Sequence, residues 1–389
     1  MNKMADSICI IGGGPAGCCM ALLLAQQGWP SLVIEAGNWS AVHSEKYERT
    51  LALSQSSWNV LAEIGIVPQD LNAQAIRSIH VSQRGMPGQV LLSAEDVGKK
   101  VFGYTVSYQA LLTALRNKIQ SESLITVQSH RRVLSIEGSH TAARISYQSP
   151  SSGRHSILSA LSIVADGGAQ IDDPRALNWS YGTEALSCQI TSLGAKAGLA
   201  WERFTPEGPI ALLPSAQGLA LIWTGSSARI QDLCSLSDQA FLSALQDWFG
   251  DRAGCFVNAS PRVRYPLKSR FSLRPAHHRV IRIANAAQTL HPVAGQGFNL
   301  GLRDVVQLRD CLGVAHAQDP GHPSLLNLFS SERRADRWLT GGLTHLLAQG
   351  FTLPIPGVRS LGSFALSAMD ITPSLRDRFS QLMSDGLAV

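Results

Sequence analysis

Residues 7–36 read SICIIGGGPAGCCMALLLAQQGWPSLVIEA, an apolar run, a glycine cluster, a second apolar run and a third ending in an acid. This order predicts strand, tight turn, helix and strand, one βαβ unit. Gly12, Gly14 and Gly17 fall at GxGxxG spacing on the turn, with Ala16 between the last two, and Glu35 closes the second strand. In such a unit the first glycine permits the turn, the second lets backbone approach a pyrophosphate, and the third brings helix and strand together. The helix start supplies free N–H groups and the positive end of its dipole, and the acid accepts hydrogen bonds from a ribose. Spacing, flanking elements and acid together predict dinucleotide binding; NAD and FAD stay undivided at this level.

A chain of 389 residues with 45% hydrophobic and 16% charged residues has material for two closely packed domains. The net charge of +5 is spread without basic runs, which argues against a nucleic-acid partner. Seven cysteines, odd in number and without a CxxC pair, argue against a disulfide framework or a zinc site and suit a reducing cytoplasm. The amino terminus is a poor secretion signal, because glycines and Pro15 interrupt its apolar run and Asp6 stands where positive charge belongs. No window approaches the ~18 apolar residues of a spanning helix, so a soluble or peripheral protein is expected.

Further along, residues 50–65 have helical spacing at Leu53, Trp58, Leu61, Ala62 and Ile64, with Gly65 as a cap, and residues 104–119 read as another helix. IRSIHVS and QVLL flank a turn at RGMPG, and GLAWERF, IALLP and LALIWTG form a meander over 198–225. LSIVADG at 161–167 reads as a buried strand entering a turn. The predicted fold is α/β: a Rossmann-like nucleotide domain built discontinuously from 1–75, 101–175 and 271–324, an interleaved antiparallel-sheet substrate domain from 76–100 and 176–270, and a helical carboxy-terminal segment, 325–389, broken at LPIPG.

Three later motifs separate the cofactors: ERTLALS with Arg49, Ala52 and Leu53; VADGG with Asp166 and Gly167; and ANAAQTLHPVAGQGFNLGLRD, residues 284–304. Together with IHVSQRGMPGQV, ERFTPEGPIALLP and RYPL they resemble the FAD-dependent aromatic hydroxylases of the group A flavoprotein monooxygenase type, and among these the ubiquinone-biosynthesis hydroxylases, over nearly the whole length. By this resemblance Asp166 lies near the ribityl or pyrophosphate part of FAD and belongs to a motif linked to NAD(P)H, and Arg49 approaches the flavin and substrate side. Taken alone, Asp166-Gly167 is a type I turn and Arg49 a surface arginine. The commoner pattern has Gly-Asp, and a His after two alanines, where this chain has Ala284-Asn285 and Gln288; Asn285 retains a hydrogen bond to a ribityl hydroxyl but no charge.

The glycines before the last helix then acquire a reason. A reduced flavin is anionic near N1 and O2, and a helix start bare of side chains offers it N–H groups and dipole. Gly295, Gln296, Gly297, Phe298 and Asn299 are expected along the pyrimidine edge of the ring. Pro292 is expected over the reactive face, its carbonyl accepting a phenol proton, and His291 either transfers a proton or holds the loop. The roof is expected from the antiparallel sheet containing Trp201, Phe204, Leu212, Leu213 and Trp223, any single one of which reads more readily as ordinary sheet core.

The resemblance implies an enzyme in which NAD(P)H reduces FAD, O₂ adds to give a C4a-hydroperoxide, and oxygen passes to the ring of a polyprenylated phenol, 2-polyprenyl-6-methoxyphenol, on the way to ubiquinone. Hydroxylation of another ring position or another aromatic substrate, and a silent FAD-holding subunit of a biosynthetic complex, are the alternatives. A halogenase is disfavoured by the lack of a WxWxIP segment. The apolar tail either packs on the nucleotide domain or, through Phe351, Leu353 and Ile355, rests on the inner membrane or docks a lipid-presenting partner, such as another subunit of ubiquinone synthesis.

Overall fold

The computed structural model describes residues 8–40, 49–150, 153–168, 171, 173–314, 319–350 and 357–385. Among them the helices are α1 (Pro15–Gln26), α2 (Gln55–Glu63), α3 (Tyr108–Gln120), α4 (Ser227–Ser235), α5 (Asp238–Phe249), α6 (Gln296–Val314), α7 (Pro323–Gly350), α8 (Val358–Ile371) and α9 (Pro373–Asp385).

The glycine-rich unit builds the centre of a six-stranded sheet. Its order is Ala276–His277, Val280–Arg282, Leu161–Val164, Ile8–Ile11, Ser31–Ile34, Ile125–Gln128, parallel except for the edge hairpin. The four residues of Ile8–Ile11, Ser31–Ile34 and Leu161–Val164 are all buried, as expected of strands covered on both faces. α1 is apolar around its whole circumference and buried from Pro15 to Ala25, lying between this sheet and helices α3 and α6. Leu23 and Leu24 are fully buried, each contributing about 1.5–3 kcal/mol relative to exposure. The other face of the sheet packs on the three strands of 132–159.

A second, larger sheet runs in the order Gln288–Thr289, Val263–Ser272, Ala176–Leu193, Gly218–Ser226, Ile210–Ser215, Leu199–Phe204, Ser78–Gln83, Gln89–Ser93. Its pairings are antiparallel apart from Leu199–Phe204 with Ser78–Gln83. One face packs on α4 and α5 through Trp223, Phe241 and Phe249. The other is crossed by α8, which settles on the turn of the 78–93 hairpin: Gly88 donates its N–H to Ser363 Oγ at 2.9 Å. A Cβ at Gly88 would stand 2.4 Å from the Ser363 carbonyl oxygen, so this contact requires glycine.

Two expected helices are shorter than their apolar spacing suggests. Thr50–Ser54 and Gly103–Ser107 pair with each other as antiparallel strands, and each then turns directly into a helix, α2 and α3. The boundary is set by N-caps: Ser54 Oγ accepts from Ser57 N and Ser107 Oγ from Ala110 N, both at 3.3 Å. No helix among the described residues is long and apolar enough to cross a membrane.

Candidate active site

Between the two sheets and the C-terminal helices is a cavity of about 950 Å³. Its first end is the glycine turn. Gly12 has φ +104°, and a Cβ there would stand 2.5 Å from the Ala165 carbonyl oxygen; at Gly17 it would stand 2.0 Å from the oxygen of Gly12. Gly14 differs, since its Cβ would project into the cavity with only Tyr108 Oη as near as 4.0 Å. Gly14 is the N-cap of α1, makes no side-chain cap, and is followed by Pro15 and by no acid in the first turn. The start of α1 therefore presents N–H groups to the cavity as an anion site.

Glu35 faces the same end. Its Oε2 accepts from Gly13 N at 2.6 Å and its Oε1 from Gly37 N at 2.7 Å, which sets the carboxylate rigidly while leaving lone pairs for further donors. Arg116, missed at the sequence level because it lies inside a helical pattern, braces the turn from α3. It donates to Gly13 O at 3.2 Å and Trp39 O at 2.9 Å, and its guanidinium stands over the Trp39 ring.

In the middle of the cavity, Asp166 and Asn285 meet from strand ends far apart in sequence. Asp166 accepts from Gly168 N at 2.9 Å and Ile171 N at 3.0 Å, so it also closes its own turn. Beside them the 290–299 segment forms the wall: Pro292, Gly295, Gln296, Gly297, Phe298 and Asn299 all line the cavity, at the start of α6. A Cβ on Gly297 would meet nothing within 4 Å. Asn299 ties the segment down, donating to Ala52 O at 3.0 Å and Gly295 O at 2.8 Å and accepting from Ser54 N at 2.9 Å. The Pro292 carbonyl accepts from Gly295 N at 3.1 Å.

His291 is buried, and burial lowers its pKa to about 4, so the ring is neutral at physiological pH. Val293 N donates to its Nδ1 at 3.3 Å, an arrangement in which the histidine holds its own loop. Arg49 is exposed on the rim, its guanidinium 5.7 Å from the centre of the Tyr108 ring. Across from it Tyr265 lines the cavity; enclosure raises the pKa of its phenol, and Arg49 pulls the other way. Tyr265 sits within RYPL, but its part in the wall depends on the pairing of Glu184 to Ser187 with Val263 to Pro266, which no local pattern announces.

The back of the loop is held by buried charge. Asp304 accepts from Ala284 N at 3.0 Å, Gln288 Nε2 at 2.6 Å and Arg333 Nε at 2.8 Å, and Arg333 and Arg303 share Asp336. Ala284 has φ +52°, a left-handed conformation unusual for alanine that this bonding maintains. The link between Asp304 and α7 leaves no local sequence signal, because Asp304 and Arg333 stand on different helices, 29 residues apart.

The far end of the cavity is apolar. Ile79, Val81, Leu92, Phe204 and Leu213 face it from the large sheet, and Gly362, Leu366 and Met369 from α8. Two of the expected roof residues are corrected: Leu212 and Trp223 point to the opposite face, into the core with α4 and α5. Strand alternation puts Leu213 and Leu212 on opposite sides. Trp201 touches the cavity, but its ring packs in that same core, 5.9 Å from Phe249.

A glycine cradle open toward an uncapped helix start, an acid at the end of the next strand and a bare start of α6 together fit FAD. The fold and this site define a flavin-dependent monooxygenase. Residues 5–340 match the FAD binding domain family. The chain is 30% identical over 382 residues to the ubiquinone hydroxylase UbiL of Rhodospirillum rubrum, covering 95% of this chain and 87% of that protein. It is 27% identical over 384 residues to the 3-demethoxyubiquinol 3-hydroxylase of Escherichia coli, covering 95% and 96%. Among solved structures, p-nitrophenol 4-monooxygenase PnpA from Pseudomonas putida superposes with a TM-score of 0.77 at 14% identity, over 100% of both chains, a likeness of fold. The chain belongs to the FAD binding domain family, in the group that holds the ubiquinone-biosynthesis hydroxylases, and is an FAD-dependent monooxygenase.

Proposed function

We propose that this enzyme hydroxylates the ring of a polyprenylated phenol, 2-polyprenyl-6-methoxyphenol, in ubiquinone biosynthesis. One observation carries the choice of substrate class: the cavity continues past the 290–299 wall into an apolar chamber roofed by α8, and α8 is apolar outside as well, exposing Leu361, Phe364 and Ile371. A phenol head with a long apolar chain needs such a chamber and such an entrance; a small water-soluble phenol needs neither.

FAD, reduced by NAD(P)H, supplies the activation of O₂. The chain's own residues bind and orient. With FAD bound, Glu35 would hold the adenosine ribose, the start of α1 at Gly14 would receive the pyrophosphate, and Asp166 and Asn285 would hold the ribityl chain. The start of α6 at Gly295 to Phe298 offers N–H groups that would stabilise negative charge on the flavin's pyrimidine edge. Pro292, Arg49 and Tyr265 line the part of the cavity where the substrate would sit. Pro292 keeps one carbonyl lone pair beyond its bond to Gly295 N, and that lone pair can accept a hydrogen bond from the phenol hydroxyl. His291, neutral and bonded within its loop, acts as a support. Ile79, Leu213 and Leu366 keep water from the reacting centre.

The test is turnover by the purified FAD-loaded protein with NAD(P)H, ¹⁸O₂ and a polyprenyl methoxyphenol in detergent or vesicles. One labelled oxygen in the ring is expected; NAD(P)H consumption without labelled product overturns the assignment. The precursor that accumulates in a deletion strain, read by mass spectrometry, identifies the ring position.

A further inference from the structure

Behind the 284–289 loop, on the side away from the flavin cavity, is a second cleft of about 650 Å³. It lies between α7 and the hairpin that joins Ala276–His277 to Val280–Arg282. Arg175, Arg274, Arg334 and Arg337 line it with His277 and His278, and among the described residues no carboxylate does. Arg279 also reaches it, but its charge is met by Asp319.

Arg337 is the informative group. It is 4% exposed, yet its hydrogen bonds go to neutral acceptors: Nε to Gln288 Oε1 at 2.6 Å, Nη2 to Ser272 O at 2.8 Å and Ala287 O at 3.3 Å. Among the described residues no carboxylate bonds Arg337 directly; the buried Asp304 and Asp173 offset part of its charge and Arg333 opposes them, so an anion in the cleft would add to that offset. The hairpin turn adds a second sign. His278 at φ +46° and Arg279 at φ +63° are successive side-chain-bearing residues in left-handed conformations, at a two-residue turn that favours Asn-Gly. Such strain persists only where surrounding structure enforces it, here the bonds of Arg279 to Asp319 and to Ala160 O. At the mouth, Trp338 is 54% exposed and held at 4.7 Å against Phe271, so its indole is a fixed, accessible platform.

We propose that this cleft binds a phosphate-bearing nucleotide, separate from FAD, with the phosphates on Arg274, Arg334 and Arg337 and the base on Trp338. Guanidinium forks match phosphate oxygens, an indole face suits a base, and the volume exceeds what a lone phosphate fills. The adenylate half of NAD(P)H and a free adenine nucleotide share this chemistry.

The experiment is calorimetric titration of the FAD-saturated protein, whose flavin site is filled, with ADP and with inorganic pyrophosphate. Saturable binding of both is expected, weakening with salt. Arg274→Ala with Arg334→Ala, both exposed, should weaken both ligands at least tenfold (~10×, the scale of losing a charged hydrogen bond). Trp338→Ala should weaken ADP several-fold and leave pyrophosphate unchanged. FAD content and thermal midpoint should stay at wild-type values in both variants. ADP that competes with NAD(P)H in turnover assigns the cleft to the reductant's tail, and ADP that binds without competing assigns it to a free nucleotide. Failure of the wild type to bind either ligand in the millimolar range, or binding unchanged in the arginine variant, overturns the site; loss of ADP and pyrophosphate alike in Trp338→Ala overturns the placement of the base.

Discussion

At the scale of single residues, Glu35 and His291 make opposite uses of a polar group near the flavin cavity. Glu35 accepts from two backbone N–H groups and still faces the cavity, so Glu35→Ala removes the charged acceptor proposed for the ribose and relaxes the turn at Gly13. Loss of one charge-assisted hydrogen bond predicts weaker FAD binding by about 1.5–3 kcal/mol, read from flavin fluorescence on dilution of the holoenzyme. Unchanged affinity would remove Glu35 from the ribose. His291 carries a pH signature. In the unfolded chain its ring protonates near the usual 6.5, and in the fold burial lowers this to about 4. Above pH 6.5 the ring is neutral in both states and stability does not depend on it. Between 6.5 and 4 the unfolded chain holds the extra proton, so stability falls as pH falls, by up to about 3 kcal/mol. Urea midpoints of the wild type and His291→Gln across this window measure the effect, since His80 and His277 titrate alike in both and cancel. Parallel curves would refute it.

At the scale of elements, the start of α6 is the feature most specific to flavin chemistry. Because a Cβ at Gly297 meets nothing, Gly297→Val should leave the thermal midpoint within a few degrees while its side chain enters the space beside the ring. Stopped-flow spectra should then show slowed flavin reduction or lowered occupancy; a variant that cycles normally would move the ring elsewhere. Gly17→Val is the contrast, since its Cβ meets the Gly12 oxygen at 2.0 Å and should disrupt folding itself. The glycine turn was legible in the sequence because its requirements are local: a turn, a helix start and an acid within one βαβ unit. What supports the other wall was not. Asp304, Arg333 and Arg337 converge from α6 and α7, and such buried pairing depends on tertiary contact that periodicity does not encode. The strands at Thr50–Ser54 and Gly103–Ser107 were hidden for a related reason, because each runs straight into a helix whose apolar spacing extends back over it. Ser54 and Ser107, each a residue before a helix, were the available signal.

At the scale of the whole molecule, two sheets and a helical tail enclose one continuous space, polar where the glycine turn lies and apolar under α8. The tail was legible as helical and apolar, but Phe351, Leu353 and Ile355, the residues first expected at an entrance, lie outside the described residues. The described exposed residues fall instead on α8. Leu361, Phe364 and Ile371 are 68%, 73% and 80% exposed, spaced three and seven residues apart along one face. The same helix faces the cavity with Gly362, Leu366 and Met369, so the width of a single helix separates the apolar surface from the apolar chamber. An apolar face of this kind, where no helix among the described residues is long and apolar enough to span, suits contact with a bilayer surface, from which the proposed polyprenyl substrate would be drawn. Replacing Leu361, Phe364 and Ile371 together with serine removes little packing, because these side chains already face solvent. FAD content and turnover of a short-chain phenol should therefore match the wild type. Turnover of the long-chain substrate in phospholipid vesicles should fall several-fold, with co-sedimentation on vesicles falling in parallel. Equal loss on both substrates would instead assign these residues to holding α8 against the 78–93 hairpin.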